Sequence, residues 1–256
     1  MTAPVLLLIP GMLNDARLWA EVASDLRALA DVRIADVRTQ ARIADMADDA
    51  WALLADVPAE VPCVLAGFSL GGYVAIEMLA RPRRTWRAAA LLSTSCLPES
   101  PEGAAGREKA IAAFTQDFEG TLQGIARRGV ARNAPPTLHE PLCQMMRDVG
   151  AQAAIRQTRA IMTRSDHRAA LGALQLPVRV LCGEQDRITP PALSDALAAA
   201  LPGAQLRRVN DAGHMLPLEQ PGACGRRHAA ARAARRRGGG PARLAELNPQ
   251  QQGDIP

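Results

Sequence analysis

The stretch LAGFSLGGYVA, residues 65–75, sets Ser69 between Gly67 and Gly71 where an apolar run passes into a helical pattern. A serine hydroxyl is a weak nucleophile until a base takes its proton and an acid fixes that base. The chain must then supply a histidine and a carboxylate. His214, in NDAGHMLPLEQP, follows the last strand-like run in a Gly-containing loop, and Asp186, in LCGEQDRITPP, follows the preceding one. Glu184, Asp211 and Asp166 compete for the acid's role. Asp186 is favoured by its distance beyond the strand, with Thr189, Pro190 and Pro191 opening the next helix. His139, His167 and His228 fall in a helical stretch or in the tail, where solvated or structural histidines are expected. The chemistry implied is acyl transfer through Ser69, with no metal and no organic cofactor required.

Positioning these groups needs a tight turn and a shared edge. A nucleophile held at a sharp strand-to-helix turn adopts strained dihedrals, and side chains two residues to either side would collide there. The glycines at 67 and 71 clear that space. Short apolar runs at 5–9, 32–36, 63–68, 88–93, 178–182 and 205–209 read as parallel strands covered on both faces. Helical patterns at 16–29, 42–56, 70–81 and 191–201 lie between them. The alternation predicts an α/β fold, a mostly parallel sheet with helices on both faces and right-handed crossovers. Residues 97–175 hold several helical stretches and no convincing strand, which predicts a helical lid insertion. The division expected is a core of 1–96 and 176–221, the insertion, and an atypical tail of 222–256.

Composition narrows the function classes. Seven arginines against two acids beyond Gly222 give the tail +5 of the chain's net +4, leaving −1 for the rest. The body therefore offers no basic patch for specific nucleic-acid binding, and seven aromatic residues in 256 argue against a base-stacking surface. Five cysteines, an odd number without metal-like spacing, read as reduced thiols. The apolar start lacks a basic leader and a small-residue cleavage site, and no run is long enough to span a membrane, so a cytoplasmic protein is expected. Oligomeric state stays open. From Glu219 to Arg243 no large aliphatic residue occurs, so the tail cannot supply the apolar face of a closing helix. A basic anchor and a displaced reading frame both account for it; the second is favoured.

PGMLNDARLW, GFSLGGYVA, LCGEQDRITPP and AGHMLPLEQP together resemble the corresponding stretches of α/β-fold hydrolases, in the lidded branch of carboxylester hydrolases and thioesterases. The resemblance spans residues 4 to about 221. It implies Ser69 as nucleophile, Asp186 as acid and His214 as base, with an oxyanion hole of the Leu70 and Met12 backbone N–H groups. Many relatives read His-Gly where this chain reads Pro10-Gly11, which removes an imidazole that braces the loop and makes Leu13 the nearest alternative to Met12. The substrate class implied is a carboxylic ester, thioester or lactone of a small, moderately apolar acyl group. The alternatives are a cofactor-free C–C bond hydrolase or lyase and, less favoured, a non-catalytic binder. A serine in place of aspartate at the turn counts against epoxide hydrolysis and dehalogenation.

Overall fold

The computed structural model describes residues 3–225. Six strands, β1 (Val5–Ile9), β2 (Asp31–Ile34), β3 (Cys63–Phe68), β4 (Trp86–Leu92), β5 (Val178–Gly183) and β6 (Gln205–Val209), form one parallel sheet in the order β2-β1-β3-β4-β5-β6. The two-sided burial of β1 explains its unbroken apolar run. Val5, Leu7 and Ile9 enter one core, while Leu6 and Leu8 face the other. The first core lies under α2 (Ile43–Ala52), α3 (Leu70–Ala80) and α9 (Pro191–Ala199). α3 is buried on every side from Leu70 to Leu79, which is why its sequence is apolar all round apart from Glu77. On the second face sits α1 (Ala20–Leu26), preceded by a 3-10 turn at Ala16–Trp19.

Between β4 and β5 the chain forms α4 (Pro101–Gln116), α5 (Phe118–Gly129), α6 (His139–Val149), α7 (Ala151–Met162) and α8 (Arg168–Gly172). Ala153, Ala154 and Ile155 of α7 pack in the second core, and Ala160 and Ile161 pack in the first. This helix therefore crosses from one face of the sheet to the other.

Strand positions follow the sequence pattern to within two residues, and helices deviate more. The helix expected over 42–56 ends at Ala52, where Leu54 and Ala55 donate to Trp51 and Ala52 in tight turns. After β6 come two short helices, α10 (Leu216–Glu219) and α11 (Pro221–Cys224); α11 packs on α1 and buries Ala223. The Arg-rich segment, with His228, lies outside the described residues. Cys63, Cys96, Cys143 and Cys182 are buried, and none of the five cysteines is in a disulfide. Among the described residues no helix is long and apolar enough to cross a membrane.

Candidate active site

The sheet order reverses at β1, since the chain runs out to β2 and returns past β1 to β3. The carboxyl ends of strands flanking such a reversal leave a crevice suited to a ligand. Ser69 stands there, between β3 and α3, at φ 52° and ψ −115°, a left-handed conformation that a non-glycine residue adopts only when its surroundings enforce it. Its N–H donates to Leu92 O at 2.9 Å, and the Thr94 hydroxyl donates to its carbonyl at 2.9 Å. A Cβ on Gly67 would strike the Gly71 carbonyl, and one on Gly71 would strike the carbonyls of Ile9 and Pro10. The two glycines thus let the start of α3 press directly on the ends of β3 and β1.

His214 and Asp186 reach Ser69 from the loops after β6 and β5. Ser69 Oγ lies 3.0 Å from His214 Nε2, and His214 Nδ1 lies 2.8 Å from Asp186 Oδ2. The imidazole and the carboxylate are buried, and the Phe68 ring sits 5.0 Å from the imidazole. Asp186 also accepts from the N–H groups of Ile188 and Thr189, at 2.9 and 2.8 Å, and from the Thr189 hydroxyl at 2.9 Å. Burial alone would raise the Asp186 pKa. The facing His214 and these hydrogen bonds outweigh it and hold the carboxyl below its ordinary value. An ionised carboxylate so placed favours the His214 tautomer with its proton on Nδ1, which leaves Nε2 free to accept from the Ser69 hydroxyl.

The two loops are also tied to each other. Glu184 N–H donates to Val209 O and Gln185 N–H to Ala212 O, at 3.0 and 2.9 Å. Glu219 accepts from Gly213 N–H at 3.0 Å and from Ala131 N–H at 2.7 Å, linking the His214 loop to the segment after α5. A Cβ on Gly183 would strike the carbonyls of Ala212 and Gly213. Thr94 lies outside the quoted motifs, and Glu219 and Gly183 lie inside them without a role there, because the groups they meet are backbone groups that no side-chain pattern marks.

Of the competing carboxylates, Asp211 accepts from Asn133 Nδ2 at 2.8 Å and Asp166 pairs with Arg168 at 2.6 Å; both are exposed, as is Glu184. His139 lies beside Cys143 on α6, and His167 Nε2 meets the buried Glu77 at 2.6 Å. Leu70, the first residue of α3, has an N–H with no acceptor inside its helix. Met12 follows Gly11 in the loop after β1. Leu13 sits at φ 59°, and its N–H donates to Gln157 Oε1 at 2.9 Å.

Comparison with known proteins extends the picture. A thermophilic esterase from Thermogutta terrifontis matches at TM-score 0.78 over 92% of this chain and 90% of its own, with 27% sequence identity. A pimeloyl-[acyl-carrier protein] methyl ester esterase of Aromatoleum aromaticum is 29% identical over 246 residues, 88% of this chain and 96% of that one. The enol-lactonase from Burkholderia xenovorans LB400, at 22% identity, shares the fold with a TM-score of 0.76 over 91% of this chain and 92% of its own. The model of the alpha/beta hydrolase family matches residues 6–226, and with that span covering most of the molecule the chain belongs to this family.

Proposed function

We propose that the protein is a serine hydrolase that cleaves a carboxylic ester through an acyl-enzyme on Ser69. The observation that carries this reading is the unbroken hydrogen-bonded chain from Ser69 Oγ through the His214 ring to Asp186. In the first half-reaction the Ser69 oxygen attacks the ester carbonyl while His214 Nε2 takes the hydroxyl proton. The tetrahedral adduct collapses as that proton passes to the departing alcohol oxygen. In the second, His214 deprotonates a water that attacks the acyl carbon, and the carboxylic acid leaves with Ser69 restored. Asp186 stays ionised throughout and stabilises the imidazolium that forms twice in each cycle.

The developing oxyanion is held by the N–H groups of Leu70 and Met12. Leu13, the alternative, is disfavoured because its N–H is already given to Gln157. Losing one such donor typically lowers turnover by about 10²–10³. The helices of residues 97–175 form the lid, and their apolar side chains favour a small, moderately apolar acyl group. The Aromatoleum aromaticum relative is named for a methyl ester, which suits a small alcohol as leaving group.

The test is a fluorophosphonate probe together with a panel of aryl and methyl esters, thioesters and lactones of graded acyl length. Labelling is expected at Ser69, absent from Ser69→Ala, with ester turnover in the same variant reduced by about 10⁶. Labelling that persists in Ser69→Ala, or a wild-type protein inert to the whole panel, overturns the reading.

A further inference from the structure

We propose that Gln157 is a positioning residue for the oxyanion loop, fixing the backbone at Leu13 so that the adjoining Met12 N–H stays turned toward the reacting carbonyl. The inference rests on the ester-hydrolase reading above. Gln157 lies on α7, in the part of the helix that passes between the two cores, and is fully buried. A buried primary amide costs free energy unless its polar atoms are paired. Here the Oε1 atom accepts from Leu13 N–H at 2.9 Å, and Nε2 donates to Val37 O at 3.0 Å. Both partners are backbone groups, one in the loop after β1 and one in the loop after β2. A single side chain of the insertion therefore ties together two loops at the carboxyl edge of the sheet. Its neighbour Thr158 donates to Ala154 O at 2.7 Å and sets its hydroxyl 3.5 Å from Met12 Sδ, so α7 meets the same loop twice.

The need for a brace comes from the loop itself. Leu13, at φ 59°, occupies a region that is strained for a non-glycine residue and persists only where surrounding contacts over-determine it. Pro10 has neither an N–H nor a polar side chain with which to hold the turn from within. One backbone bond, from Asn14 N–H to Gly11 O at 3.3 Å, closes the turn from within, and a second constraint is applied from outside, across 144 residues of sequence, by an amide that matches the Leu13 N–H with its oxygen. An oxyanion donor is effective when it is already aimed before charge develops. Gln157 accordingly contributes to the transition state without touching substrate.

The experiment compares Gln157→Leu, Gln157→Asn and Gln157→Glu in the full-length protein. Thermal melting serves as the folding control, and hydrolysis of the best ester is measured beside inhibition by an alkyl trifluoromethyl ketone, which forms the tetrahedral adduct. For Gln157→Leu, kcat is expected to fall about 10–100-fold with KM changed less than about threefold, and ketone affinity to weaken by the same factor as kcat/KM. Gln157→Glu, protonated at this fully buried position, keeps an oxygen for the Leu13 N–H and an O–H for Val37 O, and is expected to retain more kcat than Gln157→Asn, which is one methylene too short to reach. A folded Gln157→Leu with wild-type kcat and ketone affinity overturns the proposal, as does a variant that loses only melting temperature. If Gln157→Leu does not fold, the Glu and Asn pair decides, and equal kcat in the two overturns it. Wild-type labelling of Ser69 separates this failure from failure of the underlying reading, since an unlabelled, inactive wild-type protein removes both.

Discussion

Asp186 and Glu219 are two carboxylates bracing the same histidine loop with opposite titration behaviour. Asp186→Asn is expected to lower kcat by about 10⁴ by favouring the wrong tautomer of His214, measured on the best ester of the panel. Its carboxyl is held below the ordinary value despite burial, because His214 and two backbone N–H groups favour the ionised form. The stability it contributes is complete above the unfolded value of about 4 and is lost as pH falls through the lower folded value. For Glu219 burial prevails and raises the pKa, although Ala131 and Gly213 donate to it. The sign reverses. Stability tied to the protonated form is present below the unfolded value and is lost as pH rises through the folded one. The melting temperature of Glu219→Gln minus that of wild type should therefore rise between pH 4 and pH 8, and a flat or falling difference would count against this reading of Glu219. Ser69, Asp186 and His214 were legible because each stands in a short motif just beyond an apolar run. The contacts of Gln157 and Glu219 were not, since an amide inside a helix and an acid in LEQP carry no local mark of the backbone groups they meet.

Among the elements, the close contact between β5 and the loop after β6 is the most vulnerable joint. Gly183→Ala would drive a methyl group into the Ala212 and Gly213 carbonyls and push the Asp186 and His214 loops apart. It is expected to lower kcat for every substrate alike and to destabilise by about 1–3 kcal/mol, a range typical of overpacking. Gly106→Ala is the control. Nothing lies near a Cβ at this position in the middle of α4, so the same substitution should stabilise by about 0.5–1 kcal/mol through helix propensity. Thermal melts of the two variants, with kcat for each, test the contrast. The strands were easy to read because two-sided burial writes an apolar run into the sequence. The passage of α7 from one core to the other was not legible: its periodicity shows one apolar face, whereas the packing divides that face between two separate cores.

For the molecule as a whole, the described fold extends past the LEQP motif. α11 adds Ala223 to the second core and brings Cys224 against it. Removing residues 226–256 is expected to leave the melting temperature within about 2 °C, whereas ending the chain at Gln220 should cost about 1 kcal/mol, or 2–4 °C in a chain of this size. A larger fall on the first cut would show that the Arg-rich segment contributes to stability. The cysteines supply a means of timing such losses. Cys63 and Cys96 belong to the first core and Cys143 to the second, each thiol is buried without a disulfide, and burial pushes all three pKa values up. A thiol-reactive dye therefore modifies them only through opening events. Residue-resolved modification rates in the native protein become a set of internal clocks, with Cys143 on α6 reporting departure of the helices between β4 and β5 and Cys63 on β3 reporting rupture of the sheet. If those helices open as a separate cooperative unit, Cys143 is modified well before Cys63; if the two are modified together, helices and sheet open as one.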